Sequence, residues 1–168
     1  MFALGVSACS TEREAAKKRI TPEYDKDGRL HLLKYDSKGN GTVDTWSYMD
    51  GARVLRIEID KDGDGAIDRW EYYGPDRKLE KVGVSRGTAG KIDRLEYFKD
   101  GVVVRAEEDT DADGRPDKWE TYAGARLASV AFDTTRRGVP DRRLTYGPTG
   151  TASMEIISPL DSQAKSGQ

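Results

Sequence analysis

The chain has one cysteine and one histidine in 168 residues. A lone thiol excludes an intrachain disulfide. A lone imidazole leaves little material for a His-based zinc site or a Ser–His–Asp relay. Apolar runs are short, and none approaches the roughly 18 residues that a membrane-spanning helix needs. Neither sign of charge dominates: 28 lysines and arginines against 30 aspartates and glutamates leave a formal charge of −2. That balance argues against the basic stripe of a nucleic-acid-binding surface, so no nucleic-acid partner is predicted. With apolar residues at 36% and charged residues at 35%, a thick core is not expected. Three tryptophans and eight tyrosines are nonetheless too many for a disordered polyelectrolyte. The 18 glycines signal many turns.

The only cysteine follows Val6-Ser7-Ala8. Val6-Ser7-Ala8-Cys9 resembles the lipobox of bacterial lipoproteins, in which an aliphatic residue and two small residues precede the acylated cysteine. The resemblance implies removal of residues 1–8 as the end of an export signal, lipid on Cys9 and attachment to the bacterial outer membrane. Residues 9–22 then read as a tether, and the small polar stretch 158–168 as a disordered tail.

Between them the sequence repeats. An aspartate two residues before a bulky apolar residue recurs at Asp44, Asp68, Asp93 and Asp117, in steps of 24, 25 and 24, and another step of 24 reaches Asp141. A shorter fragment appears earlier at Asp25-Lys-Asp27-Gly28. Each unit runs from an acidic glycine-rich loop through Trp-x-Tyr or its equivalent to a tight turn and an alternating stretch such as Leu55-Arg-Ile57-Glu-Ile59. Alternation with β-branched and aromatic residues is the strand signal, and Asp50-Gly51, Gly74-Pro75-Asp76, Asp100-Gly101 and Ala123-Gly124 supply hairpin turns. The predicted fold is all-β: an antiparallel meander of about ten strands over residues 23–157, apolar on one face and charged on the other. Such an array resembles MORN-type hairpin repeats, with the acidic loop added. The Trp-x-Tyr pairs read as core rather than as exposed rings for sugar stacking, and His31 as a strand surface residue.

Two loops carry distinctive chemistry. Asp60-Lys-Asp62-Gly-Asp64-Gly65-Ala66-Ile-Asp68-Arg-Trp-Glu71 places oxygen ligands at the spacing of a twelve-residue EF-hand loop, and Asp109-Thr-Asp111-Ala-Asp113-Gly114-Arg115-Pro-Asp117-Lys-Trp-Glu120 repeats it. Calcium is a hard cation that takes six to eight oxygens. Carboxylates at positions 1, 3 and 5 supply them, glycine at 6 permits the sharp turn, and the carbonyl of position 7 (Ala66, Arg115) adds another. Too few residues separate the loops for helices on both sides. The loops therefore resemble the β-hairpin calcium loops of integrin propellers and bacterial surface proteins, where position 9 (Asp68, Asp117) is a natural ligand. Glu71 and Glu120 at position 12 are further candidates. Asp36, Asn40 and Asp44 outline a weaker third site, with Lys38 at a ligand position. Loops 85–93 and 133–141 lack acidic residues at positions 3 and 5 and are predicted to turn without metal.

The expectation is a calcium-binding structural, adhesion or scaffolding lipoprotein of the bacterial cell envelope, with calcium as cofactor, the membrane and an envelope or surface protein as partners, and no enzymatic activity. The competing readings are a metal-independent hairpin-repeat interaction module, a helical EF-hand sensor, and hydrolysis by magnesium or manganese held in the aspartate clusters.

Overall fold

The computed structural model describes residues 17–87 and 89–157. Twelve strands form one sheet in strict chain order, every neighbouring pair antiparallel. They are β1 (Ile20–Tyr24), β2 (Leu30–Tyr35), β3 (Thr45–Asp50), β4 (Arg53–Ile59), β5 (Arg69–Tyr73) and β6 (Leu79–Val84), followed by β7 (Arg94–Lys99), β8 (Val102–Glu108), β9 (Lys118–Ala123), β10 (Arg126–Phe132), β11 (Arg142–Tyr146) and β12 (Ala152–Ile156). The predicted all-β antiparallel meander is correct, and its sheet is open. Its ten strands are β3–β12, and one more hairpin precedes them. β1 begins inside the stretch read as tether. Asp25–Gly28 is not the start of an acidic loop. It closes the tight β1–β2 turn, with Asp25 N donating to Arg29 O and Gly28 N to Asp25 O. Cys9, the leader stretch 1–8 and the tail 158–168 lie outside the described residues.

Tight turns occupy one end of the sheet and the long loops the other. Near the tight turns one residue is left unpaired on each even strand from β2 to β10: His31, Leu55, Glu80, Val104 and Ala128. These β-bulges recur at the repeat interval and increase local twist. His31, exposed on β2, occupies the first of them.

The register corrects the expectation of one apolar and one charged face. Trp46, Glu58, Trp70, Gly83, Leu95, Glu107 and Trp119 form one row straight across β3–β9. Tyr48, Arg56, Tyr72, Lys81, Tyr97 and Arg105 form a second row on the same face. Cations thus alternate with rings: Arg56 lies 4.2 Å over Tyr48, Lys81 4.5 Å over Tyr72 and Arg105 3.6 Å over Tyr97, a contact type worth about 0.5–1 kcal/mol at partly exposed sites. The aliphatic residues Ile57, Ile59, Val82, Val84, Val130 and Phe132 occupy the opposite face, where Arg69, Glu71, Arg94, Lys118 and Glu120 face them across the strands, and Glu108 lies between Arg94 and Lys118. Both faces are therefore mixed. Among the described residues, appreciable contacts link only consecutive strands.

Val82, fully buried, and Ala106, 1% exposed, sit on the aliphatic face of the central strands. Ala106 is covered by a bridge. Arg94 on β7 reaches over the small alanine of β8 to Glu120 on β9, at 2.7 Å, while also binding Glu96 and Glu108. A larger side chain at position 106 would block that crossing.

Candidate metal centre

All five long loops, 36–44, 60–68, 85–93, 109–117 and 133–141, follow even strands and line one end of the sheet. Backbone bonds lock each loop to the next. Asp60 N donates to Asp44 O, Ser85 N to Asp68 O, Asp109 N to Asp93 O and Asp133 N to Asp117 O, all at 2.8–2.9 Å.

Loop 85–93 has Ser85 at the first position, whereas inside the other four loops two aspartates fix the shape. The first turns back onto the amides ahead of it: Asp60 Oδ1 accepts from Gly63 N (2.6 Å) and Oδ2 from Gly65 N (2.9 Å). Asp36 does the same with the amides of Gly39, Asn40 and Gly41, Asp109 with Gly114 and Asp133 with Gly138. The ninth residue closes the loop from the far side. Asp68 Oδ2 accepts from Lys61 N, Asp117 from Thr110 N and Asp111 N, Asp44 from Ser37, Asp93 from Arg86 N and Gly87 N, and Asp141 from Thr134 N. The chain must pass through the left-handed region at positions 4 and 6. Gly63 (φ 88°) and Gly65 (φ 89°) do so freely, whereas Ala112 (φ 60°) and Arg136 (φ 57°) occupy position 4 of their loops at a steric cost.

In two loops this framework gathers carboxylates. One oxygen each from Asp60, Asp62 and Asp68 lies within 4.8 Å of the others, and Asp109, Asp111 and Asp117 match them. Two oxygens on one calcium ion are at most about 4.8 Å apart, twice the roughly 2.4 Å ligand distance, so both trios fit a hard cation. Asp109 Oδ1 is moreover buried without a hydrogen-bond partner among the described residues. An all-oxygen donor set suits calcium or magnesium rather than zinc.

The other predicted ligands divide. Asp64 and Asp113 are outside the trios. Each accepts from the amide two residues on, Ala66 N at 2.7 Å and Arg115 N at 2.8 Å. Glu71 and Glu120 belong to the sheet: Glu71 accepts from Arg69 Nε and Tyr73 OH, both at 2.7 Å, and Glu120 from Arg94, Tyr122 and Lys118. Burial works to raise the Glu120 pKa, yet those donors hold it at about 2. Burial and the neighbouring Glu71 push the Tyr73 phenol up to about 12. In loop 36–44, Asn40 Oδ1 caps Thr42 N. Burial would raise the Asp44 carboxyl, but the Ser37 hydroxyl and amide outweigh it and hold the pKa low. Lys38 leans on the next loop, where a Cβ at Gly63 would stand 3.3 Å from its Nζ.

The structure also identifies residues that sequence reasoning missed. Arg136 Nε, on loop 133–141, stands 3.0 Å from Asp111 Oδ2 on the neighbouring loop. Asp93 carries a second buried carboxylate oxygen without a partner among the described residues. It lines, with Asp109, Glu107 and Ile92, a cavity of about 170 Å³ between loops 85–93 and 109–117. Alternation of loop charge along this end of the sheet was the available signal for Arg136.

No family model matches the chain, and no curated protein matches it. Among solved structures, it resembles the crystal structure of accessory secretory protein 1, 2 and 3 in Streptococcus pneumoniae, at 16% identity and a TM-score of 0.43. The match covers 66% of this chain and 20% of that one, so the chain spans about a fifth of that neighbour's length.

Proposed function

We propose that the protein is a calcium-stiffened hairpin-repeat scaffold of the bacterial cell envelope, held at the outer membrane by lipid on Cys9. The observation that supports calcium is the pair of carboxylate trios, Asp60/Asp62/Asp68 and Asp109/Asp111/Asp117, whose oxygens approach within 4.8 Å. The close approach of three carboxylates is electrostatically unfavourable, and a divalent ion relieves it. The carbonyls of Ala66 and Arg115 complete the proposed shells. Bound calcium fixes the spacing of neighbouring strands from the loop end and leaves the sheet faces free for an envelope or surface protein. The role is binding and scaffolding, not catalysis. The outer-membrane location rests on the Val6–Cys9 sequence.

Calorimetric titration of the full chain with calcium tests the first part. Two sites are expected, with dissociation constants of about 10⁻⁴ to 10⁻³ M, the range of extracellular modules. Calcium at ten times that constant adds about 1.4 kcal/mol of stability per site, so calcium raises the melting temperature and EDTA lowers it. One observation favours the metal-independent module as a second reading. Loop 133–141, with Thr135 and Arg137 at positions 3 and 5, closes through its own aspartates just as loop 60–68 does. An identical melting temperature in calcium and EDTA selects that reading.

A further inference from the structure

The two edges of the sheet differ. In an antiparallel ladder, successive residues turn their N–H and C=O groups to opposite sides. Asp36 N donates to Arg19 O, so in β1 the residues in step with Arg19 face β2, and Ile20, Pro22 and Tyr24 face outward. Pro22 has no N–H to offer, and a proline at an outward position blunts an edge strand against pairing. At the other edge, Gly147 N donates to Thr151 O and Ile157 N to Asp141 O. Ser153 and Glu155 therefore bond to β11, and Ala152, Met154 and Ile156 direct their backbone groups away from the sheet. None of these is proline. Met154 and Ile156 are 66% and 78% exposed, the two most exposed large apolar residues among those described. They continue the aliphatic face, Met154 beside Leu144 and Ile156 beside Arg142.

We propose that β12 is a self-association edge, and that its occupant is β12 of a second copy of this chain, antiparallel about Met154. The register is self-complementary. Met154 bonds reciprocally to Met154 of the second copy, and Ala152 to Ile156 in both directions, giving about six inter-chain hydrogen bonds. The side chains brought together on the aliphatic face are Met with Met and Ile with Ala. On the other face Glu155 meets Ser153, so no like charges stand directly opposite one another, and Arg143 of the same chain lies 3.7 Å from Glu155. A head-to-tail contact with β1 instead meets Pro22, so association closes as a two-fold dimer and does not run on as a filament. A five-residue strand buries less than the roughly 1,200 Å² of a stable complex, so the dimer is weak and concentration-dependent. The inference is independent of calcium.

Sedimentation velocity of the full chain from micromolar to near-millimolar concentration, in EDTA, reads the dimer directly. Met154→Pro removes an outward amide and no bond to β11. It is expected to weaken self-association at least tenfold with the melting temperature of the dilute protein unchanged. A second measurement does not depend on that variant folding. In a Cys9→Ser background, Met154→Cys is expected to oxidise readily to a disulfide-linked dimer. Ser153→Cys is not, because the two thiols would be separated beyond disulfide reach. A chain that stays monomeric at every concentration overturns the proposal. So does equal cross-linking at 153 and 154, or slow amide exchange at Met154 and Ile156 in a monomer, which would mean that the chain covers its own edge.

Discussion

Loops 60–68 and 133–141 have nearly the same shape and opposite chemistry. Both are closed by their first and ninth aspartates: Asp60 and Asp68 take the amides of Gly65 and Lys61, and Asp133 and Asp141 those of Gly138 and Thr134. They differ at positions 3 and 5, where Asp62 and Asp64 face Thr135 and Arg137. In the second loop Thr135 supplies two further donors to Asp133, and Arg137 Nε bonds to the Thr135 hydroxyl at 2.9 Å. The bend is thus built by one set of residues and its charge is set by another. An aspartate in such a loop is not evidence of metal unless its position is known.

Position 12 breaks the comparison most sharply. It is Glu120 after loop 109–117 and Leu144 after loop 133–141. Glu120 is 8% exposed and holds Arg94 at 2.7 Å. Removing one partner of a buried ionic network costs about 3–5 kcal/mol, and Glu120→Ala is expected to lower stability by about 3 kcal/mol in EDTA. Its calcium affinity should stay within twofold of the parent chain. Urea unfolding and calorimetry check the two halves, and a lost site would return Glu120 to the ligand set. The pH dependence has a definite sign. The Glu120 pKa is depressed from 4.5 to about 2 in the folded chain. Its contribution is therefore complete above the ordinary carboxylate range and is lost as pH falls from about 4.5 through about 2. Acid unfolding of the variant should be correspondingly flatter.

The repeat and its strands were legible because the aspartate anchors and the turn residues recur at one interval, and both signals are local. Faces were not legible. Whether Trp70 meets an aliphatic residue or Glu58 across the strand depends on register, and the bulges at Leu55 and Glu80 set it. The first hairpin escaped notice because Ile20–Tyr24 holds a proline and only alternates weakly. The carboxylate trios were legible from spacing, since residues 1, 3 and 9 of a coiled loop converge. The roles of Glu71 and Glu120 were not. Position 12 of an EF-hand loop and a sheet residue two after a basic one look alike in sequence, and the Arg94 partner of Glu120 is 26 residues away.

Position 1 separates shape from charge next. Asp60→Ala and Asp133→Ala each orphan amides at the bend, and each is expected to cost about 2 kcal/mol without calcium. Only Asp60→Ala should also reduce the calcium-induced rise in melting temperature. Equal losses of that rise from both would mean the two loops are not distinct. The converse experiment builds charge onto the existing bend. Thr135→Asp with Arg137→Asp places carboxylates at positions 3 and 5 between Asp133 and Asp141, and the calorimetric stoichiometry should increase from two to three. A correctly folded variant that still binds two ions would show that closure by aspartates does not suffice for a site.

The smallest expected effect lies between neighbouring loops. Arg136 sits at position 4 of the basic loop with a left-handed φ of 57°, and its Nε is 3.0 Å from Asp111 Oδ2. That guanidinium pairs with a carboxylate which, under the proposed function, also binds calcium, so the two cations compete for it. Arg136 is 74% exposed, and an exposed pair of this kind is worth about 0.2–1 kcal/mol. Arg136→Gln should therefore tighten calcium at loop 109–117 by at most about fivefold, more at low salt than at high salt, because screening weakens the competing pair. Loop 60–68 should not change, since its neighbouring cation is Lys38. A titration in which both sites tighten equally would point to a general charge effect, and one in which the 109–117 site weakens would make Arg136 a support of the loop rather than a competitor for it.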